Sequence, residues 1–216
     1  MPELSAMAHF VKICGITTLE DAQCVIEAGA DALGLILAAS PRQLSLDQAS
    51  DLAAATKGSI VRVGVFRDNT TRFVCEAVDA TGVEVAQVHG VLSDELFGEL
   101  RDRGVAIIKA IPVASDELVT FDEHRVDAVL IDGPRPGSGD PHTWNDVSQR
   151  HFQRPLIAAG GLTPGNVAEV LAMTGAWGAD VASGVETAPG RKDPRRVRDF
   201  VASASAFFEH REESRD

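Results

Sequence analysis

His9-Phe10-Val11-Lys12-Ile13-Cys14-Gly15 decides how this chain folds. It is a short apolar run that ends on a reactive side chain and passes at once into glycine and a loop. Such runs, bounded by turn residues, read as buried strands. The same unit returns at Val126-Asp127-Ala128-Val129-Leu130-Ile131-Asp132-Gly133, again with a reactive group at its end. Working outward from these two, strands are expected at about 9–14, 31–37, 60–66, 83–88, 105–111, 126–132, 155–159 and 177–182. Helical stretches lie between them. Thr18 to Ala28 opens on Thr with Glu20-Asp21 behind it and closes at Gly29. Ser45 to Thr56 starts with Ser45 and Asp47 and ends before Gly58. Ser93 to Arg103 has Asp94 and Glu95 in its first turn and stops at Gly104. Thr163-Pro164 opens another helix, with proline at the first position, where its missing N–H costs nothing. A last helix is expected from Asp193-Pro194 to about His210, while 114–125 is a weak helical segment and 142–151 a short one.

Strands that alternate with helices pair in parallel through right-handed crossovers. Eight such units predict an α/β fold of the (β/α)8, or TIM-barrel, kind, a single domain over residues 1–216, with 1–6 and 209–216 as loose ends. An open doubly wound sheet is the runner-up. It would want a glycine-rich dinucleotide turn after its first strand, and Cys14-Gly15-Ile16-Thr17 is not one. In a closed barrel, Cys14 and Asp132 lie on the same face, where such barrels carry their chemistry, as a candidate base and acid.

The 216 residues suffice for one sizeable core, and no linker or low-complexity segment divides them. A formal net charge of −12 speaks against nucleic acid or an anionic membrane as a partner. The longest apolar run, Ala32 to Ala39, is far too short to span a bilayer, and the N-terminus lacks the pattern of a signal peptide. Three cysteines, Cys14, Cys24 and Cys75, without C-x-x-C spacing, argue against a disulfide framework or zinc site and suit a reducing cytoplasm. The expected partner is therefore a small molecule. Oligomeric state is not legible.

Barrels of this kind often bind phosphate with the loops after strands 7 and 8. Here these are Ala159-Gly160-Gly161-Leu162 and Ala182-Ser183-Gly184-Val185-Glu186. Glycine lets the backbone approach an anion closely, so Gly160, Gly161, Ser183 and Gly184 are the candidate phosphate ligands. Gly137-Ser138-Gly139 offers a third wall or a lid. His89, ending strand 4, is expected to line the site, and Asp180 to orient a neighbour or bind a sugar hydroxyl. Lys12 alternates onto the same side as Cys14 and is either an aid to its ionisation or a structural residue of the barrel interior.

Lys12-Ile13-Cys14-Gly15-Ile16-Thr17, Ser40-Pro41-Arg42, Val63-Gly64-Val65-Phe66, Gln87-Val88-His89-Gly90, Leu130-Ile131-Asp132, Gly137-Ser138-Gly139, Ala159-Gly160-Gly161-Leu162 and Asp180-Val181-Ala182-Ser183-Gly184-Val185-Glu186 together resemble the phosphoribosylanthranilate isomerase family, in its order and from residue 11 to about 192. The resemblance implies a (β/α)8 barrel that performs an Amadori rearrangement in tryptophan biosynthesis without metal or cofactor. It implies a general base at Cys14, a general acid at Asp132, a ligand for the substrate carboxylate at Arg42, and phosphate near Gly161 and Ser183-Gly184. The chain departs from the usual pattern at Pro136-Gly137, where the family has two glycines, at Ala182, where it has serine, and in Ile36-Leu37-Ala38-Ala39, where it carries an aromatic. Other phosphosugar barrels compete with this reading. An epimerase would need a metal cluster of His and Asp, and a histidine-pathway isomerase an Asp in place of Cys14 and a longer chain. A barrel that only binds a phosphorylated ligand would have no need of both acid and base.

Overall fold

The structure is a computed structural model and describes residues 4–133, 144, 147 and 150–213. Eight parallel strands close on themselves in sequence order, β1 (Phe10–Cys14), β2 (Ala32–Ile36), β3 (Val61–Arg67), β4 (Val85–His89), β5 (Ala106–Pro112), β6 (Ala128–Asp132), β7 (Leu156–Ala159) and β8 (Gly178–Val181), with β8 pairing back to β1. All eight expected strands form, and the barrel, not the open sheet, is the outcome. Alternation sorts each strand into two faces. Phe10 and Cys14 of β1 point inward with Val63, Val85, Ile108 and Leu130, whereas Val11 and Ile13 join the layer between sheet and helices. Two apolar faces per strand are what the unbroken apolar runs encode.

The helices on the outside include α1 (Leu19–Glu27), α2 (Leu46–Ala55), α3 (Thr71–Thr81), α4 (Asp94–Asp102), α5 (Glu117–Thr120), α6 (Val167–Thr174) and α7 (Pro194–Glu213). The caps read from sequence are in place. Thr18, Ser45 and Ser93 each accept from a backbone N–H three residues on, and Ser45 with Gln48 completes a reciprocal capping box. Helix α3, capped by Thr70 and ended by Gly82 in the left-handed conformation, fills the helical stretch expected between the third and fourth strands. Segment 114–125 is reduced to the four residues of α5 and a 3₁₀ turn at Glu123–Arg125.

Two expectations need correction. Helix α6 begins at Val167, not at Pro164. The Asn166 carboxamide accepts from the N–H of Thr163 and donates to the carbonyl of Gly161, and this side-chain bridge folds 163–166 into a tight turn ahead of the helix. The last helix ends later than the expected point near His210. Helix α7 continues to Glu213, because Phe208 stacks on His9, ring centroids 4.8 Å apart, and Arg211 donates to the carbonyl of Ala176. At the other end Leu4 is buried among the inward-facing residues, and Trp177 donates to the carbonyl of Met7 at 2.9 Å. Gly137-Ser138-Gly139 and most of 142–151 lie outside the described residues.

The end of the barrel where the strands begin is tied by a repeated device. Asp31, Glu84 and Asp127 each stand just before an even-numbered strand, and each accepts from a backbone N–H of the strand before it: Val11 at 2.7 Å, Arg62 at 3.0 Å and Ile107 at 2.7 Å. Each carboxylate satisfies a donor that the sheet leaves unpaired. The chemistry is left to the opposite end.

Candidate active site

At the C-terminal ends of the strands a cavity of about 380 Å³ opens, a size that suits a small organic ligand. Cys14, Arg42, His89, Asp132, Gly160, Gly161, Asp180, Ser183 and Gly184, every site residue expected from the sequence, line it. The register explains why. Asp132 pairs with Ala159, and Ala159 with Asp180, so the two carboxylates stand in one inward layer on either side of β7. Lys12 pairs with Asp180, and Cys14 is the next inward residue along β1.

Cys14 is only 6% exposed. Its thiol fits because the neighbouring β2 residue is Gly34, where a Cβ would come within 2.7 Å of Sγ. Burial pushes the thiol pKa up, against the opposing pull of Lys12. The ammonium of Lys12 is fully buried and donates to Asp180 Oδ1 at 2.8 Å. Lys12 thus serves both purposes considered for it: it anchors Asp180 inside the barrel and favours the thiolate, without overcoming burial. Asp180 is thereby held in place at the cavity by its ion pair with Lys12.

Burial also raises the Asp132 carboxyl, helped by the negative charge of Asp180 and opposed by Arg67 and Lys12. A carboxyl shifted this way is equipped to hold a proton and donate it.

His89 is held neutral. Burial, with Arg67, Lys12 and Lys109 nearby, brings its pKa down to about 4. Arg67 Nη2 lies 3.3 Å from His89 Nδ1, and the Gln87 carboxamide 3.0 Å from Nε2. A guanidinium only donates, so Nδ1 accepts and the single ring proton sits on Nε2. The Gln87 carboxamide must then turn its oxygen to that proton, which also gives a partner to a buried Oε1 that otherwise has none.

Arg42 enters beneath the short hairpin formed by β9 (Glu186–Ala188) and β10 (Arg191–Lys192). Its Nε and Nη2 donate to the two carboxylate oxygens of Glu186 at 2.7 and 2.6 Å. Glu186 also accepts from Lys192 Nζ at 2.8 Å. Sequence reading missed Arg67, Gln87, Glu186 and Lys192. Arg67, the last residue of β3, was within reach of the rule that found His89 at the end of β4, whereas Gln87 lies inside β4. Nothing in the spacing of Glu186 and Lys192 marks a hairpin that folds back over β1.

Among the described residues, no group of three or more His, Cys, Asp or Glu side chains is arranged to hold a metal ion. No described helix is long and apolar enough to cross a membrane.

A closed parallel barrel with a buried thiol and a carboxyl shifted toward its neutral form at its open end is equipped for proton transfer on a small substrate, as a (β/α)8 acid–base enzyme. Comparison with known proteins narrows that class. The family described as N-(5'phosphoribosyl)anthranilate (PRA) isomerase matches residues 11–203. The N-(5'-phosphoribosyl)anthranilate isomerase of Geobacter sp. (strain M21) is 39% identical over 200 residues, 90% of this chain and 97% of that protein. The crystal structure of the phosphoribosyl anthranilate isomerase from Thermus thermophilus is 37% identical, covers 91% of this chain and 98% of its own, and superimposes with a TM-score of 0.77. A phosphoribosyl anthranilate isomerase in complex with reduced 1-(o-carboxyphenylamino)-1-deoxyribulose 5-phosphate is 30% identical, covers 92% and 99%, and gives a TM-score of 0.79. The chain belongs to the N-(5'-phosphoribosyl)anthranilate isomerase family.

Proposed function

We propose that Cys14 is the general base and Asp132 the general acid with which this enzyme performs its family's reaction. That reaction is the Amadori rearrangement of N-(5'-phosphoribosyl)anthranilate to 1-(2-carboxyphenylamino)-1-deoxyribulose 5-phosphate, a step of tryptophan biosynthesis. The observation that carries the assignment is the meeting, in one cavity, of a buried thiol and a carboxyl whose pKa burial raises. The neutral Asp132 carboxyl gives its proton to the furanose ring oxygen. The anthranilate nitrogen supplies the electron pair that replaces the broken C1′–O bond, and an iminium forms. That cation acidifies the C2′ hydrogen and, standing near the thiol, favours the thiolate that removes it. The C2′–H pair becomes the C1′–C2′ double bond of an enolamine, and protonation at C1′ with loss of the 2′-hydroxyl proton completes the ketose. Gly160, Gly161, Ser183 and Gly184 are assigned to the phosphate, and Arg42 to the anthranilate carboxylate. Three free cysteines are consistent with a cytoplasmic enzyme.

Loss of substrate fluorescence in purified protein tests the reading, and the same assay tests Arg42. A guanidinium grips a carboxylate through two parallel hydrogen bonds. Arg42→Ala should therefore raise KM with a smaller change in kcat, and should cost much less for an analogue that lacks the carboxylate. No turnover by folded parent protein, or turnover abolished by a chelator, would refute the function. Equal losses for both ligands would remove Arg42 from carboxylate recognition.

A further inference from the structure

The Glu186 carboxylate takes no part in these proton transfers, yet it lies at the centre of a dense cationic network. Oε1 accepts from Arg42 Nε at 2.7 Å, Lys192 Nζ at 2.8 Å and the N–H of Gly190 at 3.3 Å, and Oε2 accepts from Arg42 Nη2 at 2.6 Å. Lys192 Nζ, fully buried, also donates to the carbonyls of Cys14 at 2.6 Å and Ala182 at 3.3 Å.

Two consequences follow from the chemistry of the groups. A guanidinium carries five N–H donors in a fixed plane. Glu186 occupies one on Nε and one on Nη2. The end-on edge, one proton on Nη1 and one on Nη2, remains a complete fork whose direction is set by the bond to Glu186. The second consequence concerns charge. Arg42 and Glu186 alone would form a neutral pair with little attraction for an anion. Lys192 brings the cluster to a net charge of +1.

We propose that Glu186 and Lys192 are positioning residues for recognition of the substrate carboxylate. Glu186 aims the free edge of Arg42 into the cavity, and Lys192 offsets Glu186 so that the guanidinium keeps a net positive charge to offer. The proposal rests on the assignment of Arg42 to that carboxylate. The hairpin has fastenings that do not use the Glu186 carboxylate: Thr17 Oγ1 donates to the carbonyl of Gly190 at 2.5 Å, and Arg196 Nη1 to that of Glu186 at 2.7 Å. Glu186→Gln therefore leaves its backbone supports intact.

The test measures binding of reduced 1-(o-carboxyphenylamino)-1-deoxyribulose 5-phosphate, and of its counterpart without the ring carboxylate, to the parent and to Glu186→Gln, Lys192→Met, Lys192→Arg and Arg42→Ala, with KM and kcat for each. Glu186→Gln should weaken the carboxylate ligand by about tenfold or more and the counterpart by less than about threefold, with the loss in KM exceeding that in kcat. Lys192→Met should lose in the same pattern and Lys192→Arg should recover most of it. Tighter binding of the carboxylate ligand by Glu186→Gln, the result expected if Glu186 merely damped the charge on Arg42, overturns the proposal. So does an equal effect of Lys192→Met on both ligands, which would mark it as a prop for the Cys14 carbonyl. Arg42→Ala separates the failures. If it does not distinguish the ligands, the assignment of Arg42 falls; if it does and Glu186→Gln does not, only the positioning proposal falls.

Discussion

Asp132→Asn should lose activity by about two to four orders of magnitude, the usual contribution of a positioned general acid, with little change in thermal stability. The carboxamide has nearly the same shape but holds its protons far too tightly to give one to a breaking C–O bond. The surroundings of Asp132 already favour a neutral group, since burial and the Asp180 carboxylate both raise its pKa. A neutral amide therefore meets no new electrostatic cost, and the lost turnover would belong to chemistry and not to folding. Fluorescence-monitored kcat beside a thermal melt checks this. A variant that keeps about half of the parent's turnover number would strip Asp132 of the role.

Cys14→Ser should be impaired on a similar scale, because a serine hydroxyl ionises far less readily than a thiol and so rarely presents the anion that takes the proton. It should also change the shape of the pH profile. The reaction needs Cys14 deprotonated while Asp132 is protonated, although the thiol titrates above the carboxyl. At pH below both pKa values the active form rises with pH, because the thiolate fraction grows tenfold per pH unit while Asp132 stays protonated. Between the two it is constant, since each gain in thiolate is matched by a loss of protonated Asp132. Above both it falls. The acid limb of kcat/KM thus reports Asp132, and the alkaline limb reports Cys14. Burial raises both groups, so each limb should lie above the ordinary range for its side chain. In Cys14→Ser the acid limb should stay and the alkaline limb should leave the accessible range. An alkaline limb unmoved by this substitution would belong to another group and would exclude Cys14 as the base.

The eight strands were legible because each is buried on two faces and so reads as an unbroken apolar run. Their reactive ends were legible for the related reason that a polar side chain at the end of such a run stands out. Cys14, His89 and Asp132 were found in this way. Arg67 ends β3 in the same way but was passed over, because the apolar run there stops at Phe66, and Gln87 lies inside β4, where inward direction shows only once the register is known. Lys12 illustrates the limit of local reading. Alternation puts it beside Cys14, but its partner Asp180 is 168 positions away, and the balance of burial against charge at the thiol depends on that closure. Glu186 and Lys192 were hidden for another reason. Their contacts with Arg42 and Cys14 arise when the hairpin after β8 returns to the first strand, and no periodicity encodes that return. The start of α6 was misjudged because proline at a first helical position is a common signal, and the Asn166 bridge that delays the helix is a side-chain effect two residues downstream.

The central claim is that one residue opens the ring and the other removes the C2′ hydrogen, and substrate deuterated at C2′ tests it most directly. Weakening the base should make hydrogen removal limit the rate, so Cys14→Ser should show a larger primary isotope effect on kcat/KM than the parent. Weakening the acid should make ring opening limit the rate, so Asp132→Asn should show an effect near unity. The reverse order, or the same effect in both variants, would contradict the assignment of Cys14 as base and Asp132 as acid.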